Sequence, residues 1–131
     1  MSRLARVLVV DNERMILEIL TEFLASQGYE VVGTRGAADA FTMMEVSPPD
    51  VLLLDISMPL VDGVTVLRRV RALYPELRVV MVTANADEEV ARDTLRRGAF
   101  DYVVKPFDFA HLARVVEAAV GQGGGCGFPR R

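Results

Sequence analysis

The sequence predicts an α/β protein, with a parallel sheet covered by helices on both faces. Short apolar runs that end in polar residues recur along the chain. Between them lie segments with apolar residues at helical spacing, and the two kinds alternate strictly. The clearest run is Val51-Leu-Leu-Leu54, bounded by Pro48-Pro49 before and Pro59 after, which reads as a strand buried on both faces. It delivers Asp55 to the strand's carboxyl end, the edge where open α/β sheets bind ligands.

The elements follow in order. Arg6-Val-Leu-Val-Val10 is the first strand, and it runs into Asp11-Asn12-Glu13. From Glu13 to Gln27, Ile16, Leu17, Ile19, Leu20, Phe23 and Leu24 recur at helical spacing, and Gly28 is a natural stop. Glu30 to Thr34 is the second strand, and Gly36 to Val46 a helix with Ala37, Ala40, Phe41 and Met44 on one face. After the strand ending at Asp55, a helix from about Asp62 to Leu73 turns Val66, Leu67 and Val70 inward and Arg68, Arg69 and Arg71 to water. Arg78 to Val82 is the fourth strand, followed by Thr83-Ala84-Asn85. The helix Asp87 to Arg97 is polar, with Val90, Ala91 and Leu95 as its apolar anchors, and Gly98 ends it. Asp101 to Val104 is the fifth strand, ending at Lys105-Pro106. Asp108 caps a last helix bearing Phe109, Leu112, Val115, Val116 and Ala119.

Five β-α units with right-handed crossovers give a flavodoxin-like (βα)5 three-layer sandwich, with a parallel sheet of order 2-1-3-4-5. Residues 1–121 read as one domain. Residues 122–131, Gln-Gly-Gly-Gly-Cys-Gly-Phe-Pro-Arg-Arg, have the composition of a flexible tail or linker.

The 131 residues are 51% apolar and 25% charged, with a net charge of −3, so nothing attracts the chain generally to nucleic acid or to an anionic membrane. No apolar run approaches a membrane span, and the N-terminus passes directly into a strand, so no signal peptide is expected. The lone cysteine, Cys126, excludes an internal disulfide and a cysteine-built metal site, and suits the cytoplasm.

The carboxyl ends of the strands carry Asp11 and Asn12, Asp55, Thr83 and Lys105. In the order 2-1-3-4-5 these residues share one crevice. Clustered carboxylates repel unless a cation sits among them, and an oxygen-only donor set suits Mg²⁺. A hydroxyl and an ammonium opposite a metal clamp an anion such as a phosphoryl group, for which a carboxylate can be the nucleophile.

The chain resembles the receiver domain of two-component response regulators over about Arg6 to Val120. The resemblance rests on Val9-Val-Asp-Asn-Glu13, Leu54-Asp-Ile-Ser-Met-Pro59 with Asp62-Gly63, Val82-Thr-Ala84, and Gly98-Ala-Phe-Asp-Tyr-Val-Val-Lys-Pro-Phe107. The wording of the last motif is most similar to receivers of the nitrogen-regulator type, which often precede an ATPase and a DNA-binding helix-turn-helix. The resemblance implies that Asp55 is the phosphoacceptor for a histidine kinase or phosphotransfer protein. It implies that Asp11, with Asp55 and the Ser57 backbone carbonyl, holds Mg²⁺, and that Asn12 occupies the second metal position. Thr83 corresponds to the hydroxyl that turns to the bound phosphoryl group, Lys105 to the lysine that bonds it, and Tyr102 to the switch aromatic. Ala84 corresponds to the small residue that admits the phosphoryl group, and Ser57 and Asn85 flank the site and tune hydrolysis. The bond to Pro106 is expected to be cis. The face built from the fourth helix, fifth strand and fifth helix would bind an output domain absent from this chain, a target protein or a second copy. The resemblance implies self-catalysed phosphorylation and dephosphorylation, not an enzyme acting on a separate metabolite.

One departure stands out. Asn12 replaces a carboxylate, which predicts weaker metal affinity, and Glu13 is the nearest acid that could compensate. Taken singly, each residue has a plainer reading: Asp11 as a helix cap, Thr83 as a turn hydroxyl, Lys105 as a solvated lysine, Tyr102 as a half-buried strand aromatic. A receiver fold kept for phosphorylation-independent binding is the alternative that Asn12 favours. A phosphohydrolase would need a second carboxylate two residues past Asp55, where Ser57 stands, and a flavodoxin would need a hydroxyl- and glycine-rich loop in place of Asp11-Asn12-Glu13. His111 reads as a helix-surface residue, and Met43, Met44 and Met81 as core or near-core filler.

Overall fold

The computed structural model describes residues 4–58, 61–84 and 87–123. The order of elements is β1 (Arg6–Val10), α1 (Arg14–Ser26), β2 (Glu30–Thr34), α2 (Ala37–Val46), β3 (Val51–Asp55), α3 (Gly63–Leu73), β4 (Arg78–Ala84), α4 (Glu88–Arg96), β5 (Asp101–Lys105) and α5 (Phe109–Gly123). The five strands form one parallel sheet in the order β2-β1-β3-β4-β5, as the alternation of elements predicts.

Strand residues alternate between two cores. Leu8, Val10, Leu52, Leu54, Val79 and Met81 face α2, α3 and α4 through Ala40, Met44, Val66, Leu67, Val70 and Ala91. Val7, Val9, Val51, Leu53, Val80 and Val82 face α1 and α5 through Leu20, Leu24, Leu112, Val115, Val116 and Ala119. Burial on both faces explains why β3 is apolar along its whole length before Asp55. Truncating a fully buried leucine such as Leu53 to alanine would cost roughly 2–5 kcal/mol.

Register sets the height of each strand end. Asp55 lies opposite Val82, and Lys105 opposite Ala84. β4 therefore runs two residues past the expected Val82, because Thr83 and Ala84 pair with Val104 and Lys105 of β5. The helix α5 continues to Gly123, beyond the expected boundary at Gly121; Cys126 and the rest of 124–131 lie outside the described residues.

The helix α4 departs from its sequence reading. Val90 and Leu95, expected as anchors, are 42% and 40% exposed, and the buried residues are Ala91 and Thr94. The smallest residues face the sheet, and the Thr94 hydroxyl donates to the Ala91 carbonyl, so its burial leaves no donor unpaired. Two arginines expected in water also do more. Arg69 stacks on Phe41, 4.6 Å from the ring centre, joining α3 to α2. Arg71 donates from Nη1 to the Leu77 carbonyl at 3.0 Å and lies directly beneath Gly98. A Cβ at Gly98 would stand 2.8 Å from Arg71 Nε, and its φ of +103° is one that L side chains rarely adopt. Arg96 and Arg97 pair with Asp93 on the exposed side of α4.

Candidate functional site

Asp11, Asp55 and Thr83 are all buried, at 0%, 3% and 1% exposure, at the carboxyl ends of adjacent strands. Each is placed by backbone around it. The Asp11 N–H donates to the Thr34 carbonyl, continuing the β1–β2 ladder past its last pair. Its Oδ1 accepts the Glu13 N–H at 2.8 Å, a turn that starts α1. Asp55 Oδ1 accepts the Ser57 N–H at 3.1 Å, and the Ile56 N–H donates to Val82. The Thr83 hydroxyl donates to the Ala84 carbonyl at 3.0 Å. Lys105 ends β5, and its bond to Pro106 is cis.

Gly63 is a positioning residue that the sequence names only as part of a motif. Its N–H donates to the Ile56 carbonyl at 2.7 Å, and a Cβ there would lie 2.3 Å from the Asp55 carbonyl oxygen. Only glycine lets the start of α3 lie against the end of β3. Asp62 then caps α3 by accepting the Thr65 N–H at 2.8 Å.

Lys105 Nζ is the positive centre. It lies 2.8 Å from Glu13 Oε1, 3.4 Å from Asp11 Oδ2 and 4.0 Å from Asp55 Oδ2. The Glu13 contact is the one the sequence did not reveal: Glu13 precedes the first turn of α1, yet its side chain turns back to a lysine far along the chain. Asp11 Oδ2 is fully buried and accepts no hydrogen bond among the described residues; its distance to Lys105 is that of an ion pair, too long for a good hydrogen bond.

The electrostatics follow. Burial pushes the Asp55 carboxyl up to about 6, and the Asp11 charge adds to this; the Ser57 N–H and Lys105 oppose it. Burial raises Asp11 as well, against the pull of the Glu13 N–H and Lys105. For Lys105, burial alone would lower the value, but the Glu13 hydrogen bond and the Asp11 and Asp55 charges overcome it, and the result is raised.

Among the described residues no group of three or more His, Cys, Asp or Glu side chains is arranged for a metal. Two carboxylates are what remains, because Glu13 faces Lys105 and Asn12 brings no charge. That donor set still fits Mg²⁺, which needs only one or two carboxylates and keeps several waters. Asp11 Oδ2, buried and without a hydrogen bond among the described residues, is the oxygen such an ion would satisfy.

The remaining expected residues fall around the crevice. Ser57 and Ala84 are exposed at its rim, and Asn12 is half-buried with its carbonyl accepting Arg35 Nε at 3.0 Å. Tyr102 is half-buried and donates its hydroxyl to Glu88 Oε2 at 3.0 Å. Asn85 and Pro59 lie outside the described residues. His111 is exposed on α5.

Residues 7–117 match the response regulator receiver domain family. The chain belongs to that family. The receiver domain is 38% identical to the regulatory protein AtoC of Escherichia coli K12 over 120 residues, 92% of this chain and 26% of that protein. It is 36% identical to the DNA-binding transcriptional regulator NtrC of the same organism, over 87% of this chain and 24% of that protein. The chain thus spans about a quarter of the length of these curated relatives. The isolated receiver domain of NtrX from Brucella abortus superposes with a TM-score of 0.85 at 33% identity, covering 87% of this chain and 97% of that one. The expected nitrogen-regulator-like wording agrees with these relatives. Among the described residues no helix is long and apolar enough to cross a membrane.

Proposed function

We propose that this receiver accepts a phosphoryl group on Asp55 from the phosphohistidine of a histidine kinase or phosphotransfer protein, in a Mg²⁺-dependent reaction in the cytoplasm. The observation that carries the reading is the convergence of buried Asp11 and Asp55 on Lys105, with buried Thr83 at the end of the neighbouring strand, at one edge of the sheet. An Asp55 carboxylate oxygen attacks phosphorus, the phosphorus–nitrogen bond breaks, and the imidazole leaves with its electron pair. Lys105 stands 4.0 Å from Asp55 Oδ2, within reach of the oxygens of a group carried there. Asp11, Asp55 and the Ser57 carbonyl would hold Mg²⁺, with the Asn12 amide as a neutral donor. Bound there, the ion neutralises charge on the transferring oxygens.

The output side follows from Thr83 and Tyr102. A phosphoryl oxygen is a stronger acceptor than the Ala84 carbonyl that Thr83 now uses, so the hydroxyl turns toward Asp55. The vacated space admits Tyr102, which leaves Glu88 and remodels the α4-β5-α5 face. A groove of about 370 Å³ lies on that face, lined by Glu88, Asp101, Tyr102, Asp108 and His111 among others. Its partner is an output domain, a separate target or a second copy of the chain. The domain catalyses only its own phosphoryl uptake and loss. We read the receiver as running through the end of α5 at Gly123, two residues past the expected boundary, and the remainder as tail or linker.

Asn12 favours a second reading, a receiver fold used for binding without phosphorylation. Intact mass after incubation with acetyl phosphate and Mg²⁺ decides between them. A metal-dependent phosphoryl adduct that Asp55→Asn abolishes is the expected result. No adduct on folded wild-type protein at high Mg²⁺ would establish the second reading.

A further inference from the structure

We propose that Glu13 is a positioning residue for Lys105: its carboxylate draws the ammonium off the Asp11–Asp55 pair and so keeps those carboxylates open to Mg²⁺. The inference rests on the metal site of the reading above.

Three carboxylates surround Lys105 Nζ, and the geometry ranks them. Glu13 takes the hydrogen bond at 2.8 Å, while Asp11 Oδ2 at 3.4 Å and Asp55 Oδ2 at 4.0 Å are left at ion-pair range. The ranking is unexpected from burial alone. Asp11 Oδ2 is buried and accepts no hydrogen bond among the described residues, so it has the most to gain from the ammonium. Glu13 is 61% exposed and could be satisfied by water. Remove its carboxylate, and the nearest acceptor for Lys105 is the same Asp11 oxygen that a metal would use. Lysine would then act as an internal competitor for the cation.

The backbone allows the division of labour. The Glu13 N–H is fixed on Asp11 Oδ1, and its carbonyl accepts the Leu17 N–H at 2.9 Å. Both contacts belong to the main chain, so the side chain can be changed while Asp11 and the start of α1 stay in place. Asn12 makes the role matter: with no charge at the second metal position, and with Glu13 neutralised, Asp11 and Asp55 are the carboxylates left to the metal, and Lys105 would engage one of them.

The test is a double-mutant cycle read by calorimetric Mg²⁺ titration of the whole chain, with wild type, Glu13→Gln, Glu13→Ala, Lys105→Ala and Glu13→Gln/Lys105→Ala. Both single Glu13 variants should fold as wild type and bind Mg²⁺ roughly three- to tenfold more weakly, where tenfold corresponds to about 1.4 kcal/mol. With Lys105 already removed, Glu13→Gln should change the affinity little. Unchanged affinity in the single variants would overturn the inference. So would an equal loss in both backgrounds, which would mean that Glu13 acts on the cation directly. Absence of Mg²⁺ binding in wild type, by contrast, would fail the metal site itself, and absence of the acetyl phosphate adduct with the cycle intact would fail only the phosphoacceptor reading.

Discussion

Tyr102 donates its hydroxyl hydrogen to Glu88 across 3.0 Å, tying β5 to the first turn of α4. The bond is side chain to side chain, so either residue can be cut without touching the backbone. Tyr102→Phe should lower stability by about 0.5–1.5 kcal/mol, the net worth of one such hydrogen bond. Glu88→Ala should cost a similar amount, and the double variant no more than the larger of the two. Urea denaturation of the three variants measures the coupling.

Asp55 makes the unmodified domain pH-sensitive. Its folded value of about 6 lies above the ordinary 3.8, so its ionised form works against folding. The cost is absent below the unfolded value, grows as pH rises between the two, and is complete above the folded value. Asp55→Asn should therefore stabilise the metal-free chain at pH 7 by about 2–3 kcal/mol, from roughly two units at 1.36 kcal/mol each. Near pH 4 the gain should nearly vanish. Adding Mg²⁺ should stabilise wild type more than the variant, and thermal melts at the two pH values with and without the ion check both statements.

Lys105 acts on the same balance from the other side. Its raised value means that the charged lysine favours the fold, fully so below its ordinary 10.5 and no longer once pH climbs past its folded value. Lys105→Met should push the Asp55 carboxyl above about 6, because the opposing positive charge is gone. Carbon NMR of the Asp55 carboxyl during a pH titration reads this directly; an unchanged midpoint would mean that Lys105 plays no part and that burial, the Asp11 charge and the Ser57 N–H set it.

Gly63→Ala should be among the most damaging single-atom additions in the chain. The new Cβ would meet the Asp55 carbonyl oxygen at 2.3 Å and Ile56 Cα at 2.7 Å, both of them backbone. Neither can rotate away, so β3 and α3 must separate. A loss of at least about 2 kcal/mol is expected, near the upper range for overpacking. The midpoint of a denaturation curve gives the stability, and the acetyl phosphate adduct gives the effect on Asp55.

The frame of the domain was legible because it is periodic. Runs buried on both faces announce β1, β3 and β4, and Gly28 and Gly98 end their helices at positive φ of 97° and 103°, as their positions predicted. Asp11, Asp55, Thr83 and Lys105 could be gathered because strand ends in a parallel sheet share an edge. What depended on side-chain direction was hidden. Spacing alone could not show that α4 turns Ala91 and Thr94 inward and leaves Val90 and Leu95 outside. Nor could it show that Glu13 reaches Lys105: beside Asn12 it reads as the acid that could compensate at the metal position, and its carboxylate instead meets the lysine. Arg71 was missed for the same reason: an arginine at a polar helical position gives no sign that a glycine in a distant turn rests on it.

That arginine gives α4 the mechanics of a lever. Its stem, anchored on α3 and fastened to Leu77, props the turn where α4 ends, and the glycine above leaves no slack between them. At the opposite end, the bond to Tyr102 acts as a latch. A rod propped at its far end and latched at its near end swings most at the latch. Were Tyr102 to release Glu88, the first turn of α4 would be the part set free, since the contacts of Arg71 hold the opposite end.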